Sequence, residues 1–381
     1  MSLIEAWSPT DATDRRLSRS RLAAFVRRTS SRAGAAECMI APTQGVVRVN
    51  VSGTTGRAHV QGVKRCASPW ACPRCAPTIR QRRAHELTAL VERAQAEGHT
   101  CLLVTFTLPH RADEALTTVL GDLAATWRRM WSGAWSQGFR EAWSLLGQVR
   151  SVEVTYGDNG WHPHVHTVFF LDTPKAEVDA ELVDLWLALF QRWADSAEKV
   201  CGRRPSARNG IDVELVHDAQ AVGEYVSDSG GWSIGAEVAC QPAKIGKSGT
   251  AVTPFGLLGA AAMWGDAEAR DRWLEYEDAT KGRHAIQASR GLYERYEVTR
   301  TDDEDAAAPE AVEVVATIEV DVVEWVALVE LHADDRYLLA VEEWAALGQG
   351  GDPPSARDVV LEVLAERRAM TGRARCTLVA L

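Results

Sequence analysis

The stretch that decides the fold runs from Gln148 to Leu171 and reads QVRSVEVTYGDNGWHPHVHTVFFL. Val149, Val152 and Val154 mark one β-rich run, and Val165, Val168 and Phe169 mark another. Gly157-Asp158-Asn159-Gly160 between them carries strong turn signals, so the spacing predicts a β-hairpin. His162, His164 and His166 alternate along the second run, and a period of two puts all three imidazoles on one face. With Asp158-Asn159 as the loop, Glu153 faces His164; with Asn159-Gly160 as the loop, it faces His166. Either register keeps the carboxylate on the histidine face.

Two imidazoles and a carboxylate on a rigid sheet can hold a divalent ion and leave positions open for a substrate. Successive histidines on one strand lie roughly 7 Å apart, so all three do not easily converge. His164, His166 and Glu153 are assigned as ligands and His162 as a supporting group beside them. The plainer alternative is a histidine-bearing strand half exposed to water, and the facing glutamate weighs against it.

The 381 residues, 46% of them hydrophobic, suffice for at least one full core and allow two or three domains. The net charge of −10 hides an uneven distribution: residues 1–150 carry 21 basic and 11 acidic side chains, and residues 301–381 carry 6 and 18. A basic front half with an acidic tail fits a nucleic-acid-binding region followed by a solvated appendage. Leu22 to Val26 is too short for the core of an export signal, and the apolar run Ala251 to Trp264 is too short and too broken by Pro254, Gly256 and Gly259 to span a bilayer. A cytoplasmic protein is expected, in which cysteines bind metal before they pair as disulfides.

Residues 1–36 read as a mobile basic arm around a short helix near Leu17 to Arg28. Residues 37–98 form a Cys-rich segment: short β-like runs lead to Cys66-Ala-Ser-Pro-Trp-Ala-Cys72-Pro-Arg-Cys75. Cys72 and Cys75 can reach one ion, and Cys66 and Cys38 complete an all-thiolate Zn2+ site, with His59 or His85 as substitutes for the fourth ligand. Buried metal-free thiols, or a Cys72–Cys75 redox pair, are the competing readings. The helix that follows, near Pro77 to Ala96, carries Arg80, Arg82, Arg83 and Arg93 and is a candidate DNA contact.

Cys101 to Leu108 alternates as a strand, with Leu103, Thr105 and Thr107 on one face, and His110 follows it in a loop. Ala112 to Leu146 reads as helical, with a stripe of Trp127, Trp131 and Trp135 best explained as core. After the hairpin come an amphipathic helix, Lys175 to Val200, and a strand, Ile211 to Val216. The order strand, helix, hairpin, helix, strand indicates an α+β fold with an antiparallel sheet, of ferredoxin-like or RRM-like type with helices on one face. A short helical segment from His217 to Asp228 contains Tyr225. Thr301 to Pro309 is an acidic linker, and Val312 to Val320 and Val322 to Leu347 form a strand and a helical stretch without a functional reading.

Trp161-His162-Pro163-His164-Val165-His166 closely resembles the metal-binding motif of the HUH endonucleases, specifically rolling-circle replication initiators of actinobacterial plasmids. The Cys-x-x-x-Trp-x-Cys-Pro-x-Cys run before an Arg-rich helix, and the Phe106-Thr-Leu108 strand, resemble the same family. So do Thr253-Pro-Phe255, Gly265-Asp266, Trp273-Leu-Glu-Tyr276 and Lys281-Gly-Arg283. The resemblance implies an HUH nuclease core over residues 99–298; composition and pattern add an acidic linker over 299–311 and an accessory module over 312–381. It implies Tyr225 as nucleophile, with Tyr156 as its rival. The family's lysine three residues after the tyrosine is here Asp228, for which Lys244 or Lys247 are possible replacements and DNA contacts. The implied reaction is transesterification of single-stranded or hairpin origin DNA with Mg2+ or Mn2+, Glu224 serving as terminating base and a host helicase and polymerase following. No nucleotide cofactor or other small-molecule substrate is implied. A conjugative relaxase, a single-strand transposase and a non-catalytic zinc-dependent DNA-binding regulator are the alternatives.

Overall fold

A computed structural model describes residues 12–32, 34–227, 251–308 and 313–378. The chain divides into two compact units: one takes the residues up to Thr78, Ala262–Gly265 and those from Asp303 onward, and the other takes Ile79–Ala261 and Asp266–Asp302. Among the described residues, no helix is long and apolar enough to cross a membrane.

The first unit is built on a three-stranded antiparallel sheet of β1 (Val47–Ser52), β2 (Ala58–Gln61) and β8 (Val314–Val320), in the order β2-β1-β8. β8 lies more than 250 residues beyond its partner β1 and pairs with it from Val47↔Val320 to Ser52↔Val314. Val314–Val320, within the residues expected as a separate C-terminal module, thus supply one of the three strands of this sheet. Helix α1 (Ala12–Thr29) is longer than expected and, far from being a free arm, buries Ser20, Leu22, Ala23 and Val26. Helix α11 (Asp303–Ala307) occupies the stretch expected as a linker and buries Ala306 and Ala307. Two helices, α12 (Val322–Glu330) and α13 (Asp334–Ala346), replace the single helical stretch expected after β8, and α14 (Ala356–Leu378) follows.

Inside this unit Arg74 lies between Cys72 and Cys75 and is held by two buried carboxylates of the α13 N-terminus. Its guanidinium donates to Asp335 at 2.8 Å, to Asp334, and to Ser20 Oγ at 2.8 Å. Asp334 and Asp335 are 2% and 1% exposed, so the three charges share one desolvated cluster.

The second unit carries a five-stranded antiparallel sheet in the order β6-β3-β5-β4-β7. Its strands are β3 (Thr100–Thr107), β4 (Leu145–Gly157), β5 (Gly160–Leu171), β6 (Ile211–Leu215) and β7 (Ile286–Ala288). Helices α3 (Leu116–Met130), α5 (Lys175–Ala180) and α6 (Leu182–Cys201) precede and follow the hairpin, and Phe106 of β3 packs on Trp127 and Trp193 of α3 and α6. The helix expected through Leu146 breaks after α3 and resumes as α4 (Gly133–Ala142), where Gly133 takes φ +72. The tryptophan stripe survives the break, with Trp127–Trp131 and Trp131–Trp135 centroids 5.9 and 6.0 Å apart.

The expectation of helices on one face is corrected. Val168 and Phe170 continue the same face of β5 as the histidines, and apolar side chains there require cover. Leu87, Leu90, Val91 and Ala94 of α2 (Cys75–Ala96) supply it, together with Val222 and Val226 of α7 (Ala219–Ser227) and Leu292 of α10 (Leu292–Arg295). Between α7 and α10 the chain forms α8 (Pro254–Trp264) and α9 (Ala267–Ala279). One half of this face is therefore apolar and covered, and the other half carries histidines. Each large apolar side chain buried there contributes about 1.5–3 kcal/mol.

Helix α7 seats closely because it carries Gly223: a Cβ at that position would stand 2.8 Å from the Ala84 carbonyl oxygen and collide with Thr88. Gly223→Ala is therefore expected to shift α7 and cost roughly 1–3 kcal/mol of stability. Thermal unfolding alongside Gly121→Ala, where a Cβ meets nothing within 4 Å, checks this.

Candidate active site

The hairpin closes through Asp158-Asn159, with Gly157 opposite Gly160 and Glu153 opposite His164. Gly160 takes φ +76, and a Cβ there would stand 2.5 Å from the Ala112 carbonyl oxygen, so glycine is required. In this register Glu153 Oε2 lies 2.8 Å from His164 Nε2 and 2.7 Å from His166 Nε2. On the neighbouring strand Thr105 is the cross-strand partner of His166, and its Oγ1 sits 2.9 Å from His166 Nδ1. That bond fixes the ring with Nε2 turned toward the glutamate.

Burial pushes the Glu153 carboxyl up, but His164 and His166 beside it outweigh burial and hold it below the ordinary carboxylate range. The three donor atoms lie within 4.8 Å of one another. Adjacent ligands of an octahedral ion at about 2.1 Å are about 3.0 Å apart, which matches the two short N···O distances and makes this N2O set fit one divalent ion.

His162 stands next in the row, its ring centroid 4.8 Å from that of His164. Its Nδ1 is 2.6 Å from His110 Nε2, a contact that joins the β3–α3 loop to β5. Burial, with His164 and His110 adding to it, lowers the His162 pKa to about 4. His110, read from the sequence as an ordinary loop histidine, is thus part of the site.

Tyr225 comes from α7, and its ring centroid lies 5.2 Å from that of His166 at an interplanar angle of 82°. The residue is 37% exposed. It lines a cavity of about 340 Å³ with Leu103, Thr105, Asp212, Glu214 and His217. Burial, reinforced by Glu153, Glu214 and Asp212, pushes its phenol up to about 12. A phenol shifted upward stays protonated through the range in which a free tyrosine ionises. The difference in ultraviolet absorbance between wild type and Tyr225→Phe in EDTA is therefore expected to show almost no tyrosinate from this residue at pH 10.

The rival Tyr156 points the other way: it pairs with Trp161 on the opposite face of the hairpin, with ring centroids 4.9 Å apart. Glu224 is exposed, and its Oε1 accepts from Gln220 Nε2 at 2.9 Å. Asp228, Lys244 and Lys247 lie outside the described residues. The expected DNA contacts on α2 are corrected in two cases. Arg80 and Arg83 are only 4% and 5% exposed, and Arg83 Nη1 donates to Glu86 at 2.7 and 2.9 Å, so neither faces a phosphate backbone. Arg82 is half-buried.

In the other unit Cys38, Cys66, Cys72 and Cys75 gather in one cluster, without His59 or His85. Cys38 Sγ is 3.6 Å from Cys72 and from Cys75, and Cys66 Sγ is 3.9 Å from Cys75. A tetrahedral Zn2+ with Zn–S bonds of about 2.3 Å requires sulfurs about 3.8 Å apart, so the four thiols fit that ion. Met39 and Ala67, each following a cysteine, take φ +64 and +48, and Cys75 N–H donates to Cys72 Sγ at 3.4 Å. Hydrogen bonds from Cys66, Cys72 and Cys75 pull the Cys38 thiol far below its ordinary range, while the other three are pushed up.

The chain matches a family model described as replication protein over residues 57–206. It is 31% identical to "Protein rep" of Streptomyces lividans over 392 aligned residues, which cover 85% of this chain and 84% of that protein. It is also 29% identical over 152 residues to a "Neomycin resistance protein" of Streptomyces cyanogenus, covering 33% of this chain and 34% of that one. No solved structure matches. The length and identity of the Streptomyces lividans match, together with the family model, place this chain in the replication-protein (Rep) family of plasmid initiators.

Proposed function

We propose that this Rep protein is an HUH-type nuclease that starts rolling-circle replication by nicking one strand of its plasmid origin. The observation that carries the reading is the stacking of Tyr225 edge-on against His166, which with His164 flanks the buried Glu153. Tyr225 Oη would attack a phosphodiester of single-stranded or hairpin DNA, the P–O3′ bond would break, and the protein would keep the 5′ phosphate. A free 3′-OH remains for a polymerase, and the phosphodiester energy is conserved in the protein–DNA bond. Glu153, His164 and His166 would hold Mg2+ or Mn2+, which when bound supplies Lewis-acid polarisation of the phosphate.

The chain's own residues hold the geometry. Thr105 orients His166, and the α2–α7 packing brings the phenol to the end of the histidine row. The phenol needs a base at the moment of attack. For termination, Glu224 is turned toward Gln220, whereas Asp212 and Glu214 share the Tyr225 cavity and are the better-placed carboxylates. Zn2+ at Cys38, Cys66, Cys72 and Cys75 would be structural. A host helicase and polymerase in the cytoplasm would extend the nick.

The test is a denaturing gel of protein, labelled single-stranded origin DNA and Mn2+. Wild type gives a band that migrates as a covalent protein–DNA adduct, and Tyr225→Phe gives none. An undiminished adduct in the variant contradicts the assignment.

A further inference from the structure

Strand β6 brings two carboxylates to the histidine face of the sheet. Asp212 is the cross-strand partner of Thr105, which bonds His166, and Glu214 is the partner of Leu103, two residues along the same face. Both are exposed, and among the described residues neither forms an ion pair. They line the cavity that also holds Tyr225, to which Leu103 and Val222 add apolar surface. Its volume of about 340 Å³ is at the small end of small-molecule sites, which run from roughly 300 to 1,000 Å³, and gives room for one flat heterocycle rather than a length of strand.

Carboxylates repel the phosphates of a bound strand, and they only accept hydrogen bonds. What they attract is the N–H donors of a base. An unpaired base is read by hydrogen bonds to its Watson–Crick edge and by contact of its ring with apolar side chains. Guanine puts two adjacent donors, N1–H and N2–H, on that edge, a fork that one carboxylate accepts through both oxygens. Cytosine and adenine set one amino group beside a ring-nitrogen acceptor, and thymine flanks its single N–H with two carbonyls, so each of these turns a lone pair toward the carboxylate. We infer that the cavity takes the unpaired base of a nucleotide flanking the cut, and that Asp212 and Glu214 select guanine there. This rests on the nuclease reading above and is separate from any part the same carboxylates take in termination. The phosphate goes to the Glu153–His164–His166 set and the base to the acidic groove, so the two sites sort the two ends of one nucleotide by charge.

The test reads binding apart from cleavage. The cut is first mapped with the wild-type protein. Anisotropy in EDTA then gives the affinity of Tyr225→Phe for a fluorescent single-stranded origin oligonucleotide in which each guanine in turn is replaced by inosine, which lacks only the exocyclic amino group. A guanine flanking the cut is expected to show a roughly tenfold loss on replacement, as loss of a hydrogen bond to a charged acceptor implies. Adding Asp212→Ala and Glu214→Ala is expected to abolish that penalty, so that guanine and inosine bind alike at this position. Unchanged responses at the other guanines show that the variant is folded. A cut with no guanine on either side, no inosine penalty there, or a penalty that survives both alanine substitutions overturns the inference. Slower single-turnover cleavage by the alanine variant of the otherwise wild-type protein, with the guanine preference intact, assigns the carboxylates to proton transfer alone and overturns it too. A wild-type adduct at Tyr225 alongside any of these results leaves the nuclease reading standing and sinks only the base selection. Absence of any wild-type adduct sinks both together.

Discussion

Replacing Glu153 with alanine is expected to lower the affinity of the protein for Mn2+ by at least about a hundredfold, equivalent to about 2.8 kcal/mol, and to remove strand cleavage with it. The carboxylate is the only charged group in the N2O set among the described residues, and it is almost fully buried. Glu153→Gln separates shape from charge: it keeps the side-chain volume and loses the anion, and the loss of Mn2+ affinity should be nearly as large. The same pair of proteins yields a pH signature without metal. Glu153 titrates below its unfolded value, so the stability it adds is present above the ordinary glutamate range and is lost as the pH falls through its folded-state value. The stability advantage of wild type over Glu153→Gln, read by denaturant unfolding in EDTA, should therefore shrink on acidification. Isothermal titration with Mn2+ at neutral pH gives the binding half of the prediction, and an affinity within threefold of wild type would contradict it.

Arg74→Met is the second large effect, and it falls on the other unit. The guanidinium pairs with two carboxylates that have almost no access to water, and its removal leaves Asp334 and Asp335 buried side by side. Breaking such a cluster from one side costs about 3–5 kcal/mol. Because Arg74 belongs to the Cys72–Cys75 turn, the same variant is expected to release bound Zn2+ at lower denaturant than wild type. Replacing all three charges together, as Arg74→Met with Asp334→Leu and Asp335→Leu, should recover part of the stability, since no buried carboxylate is then left unpaired, while Arg27 loses Asp334 as its counter-charge. Thermal unfolding and a colorimetric assay of released zinc measure both effects. A melting temperature for Arg74→Met equal to that of wild type would show that the cluster contributes little.

Much of the site was legible because it is local. The hairpin, the shared face of three histidines, and Glu153 opposite them all follow from alternation about a turn, and the turn residues decide between two registers that both keep the glutamate in place. Cys38 was legible as a fourth sulfur from residue type alone. Less accessible was whatever depends on which strand pairs with which. Thr105 reaches His166 only because β3 lies beside β5 in that register, and alternation within Cys101 to Leu108 does not show the partner. β8 could be read as a strand, but its place beside β1 could not. The partners of Arg74 are some 260 residues away in sequence.

Arginines on α2 suggested an outward, phosphate-binding face, whereas Glu86 turns Arg83 inward. A signal for the second helical layer was present in the hairpin itself. Val168 and Phe170 extend the histidine face with side chains that cannot be left in water, and the helices that cover them are the ones that bring Tyr225 to the end of the row.

The account stands on the phenol of Tyr225 and the Glu153–His164–His166 set acting on one phosphodiester. The most direct measurement is tandem mass spectrometry of the protein after reaction with origin DNA and Mn2+, followed by nuclease and protease digestion. The prediction is a peptide containing Tyr225 that carries a nucleotide through its 5′ phosphate, absent when the reaction is run with Glu153→Ala. A nucleotide on Tyr156 or on any other residue, or a Tyr225 adduct that forms equally well with Glu153→Ala, would contradict it.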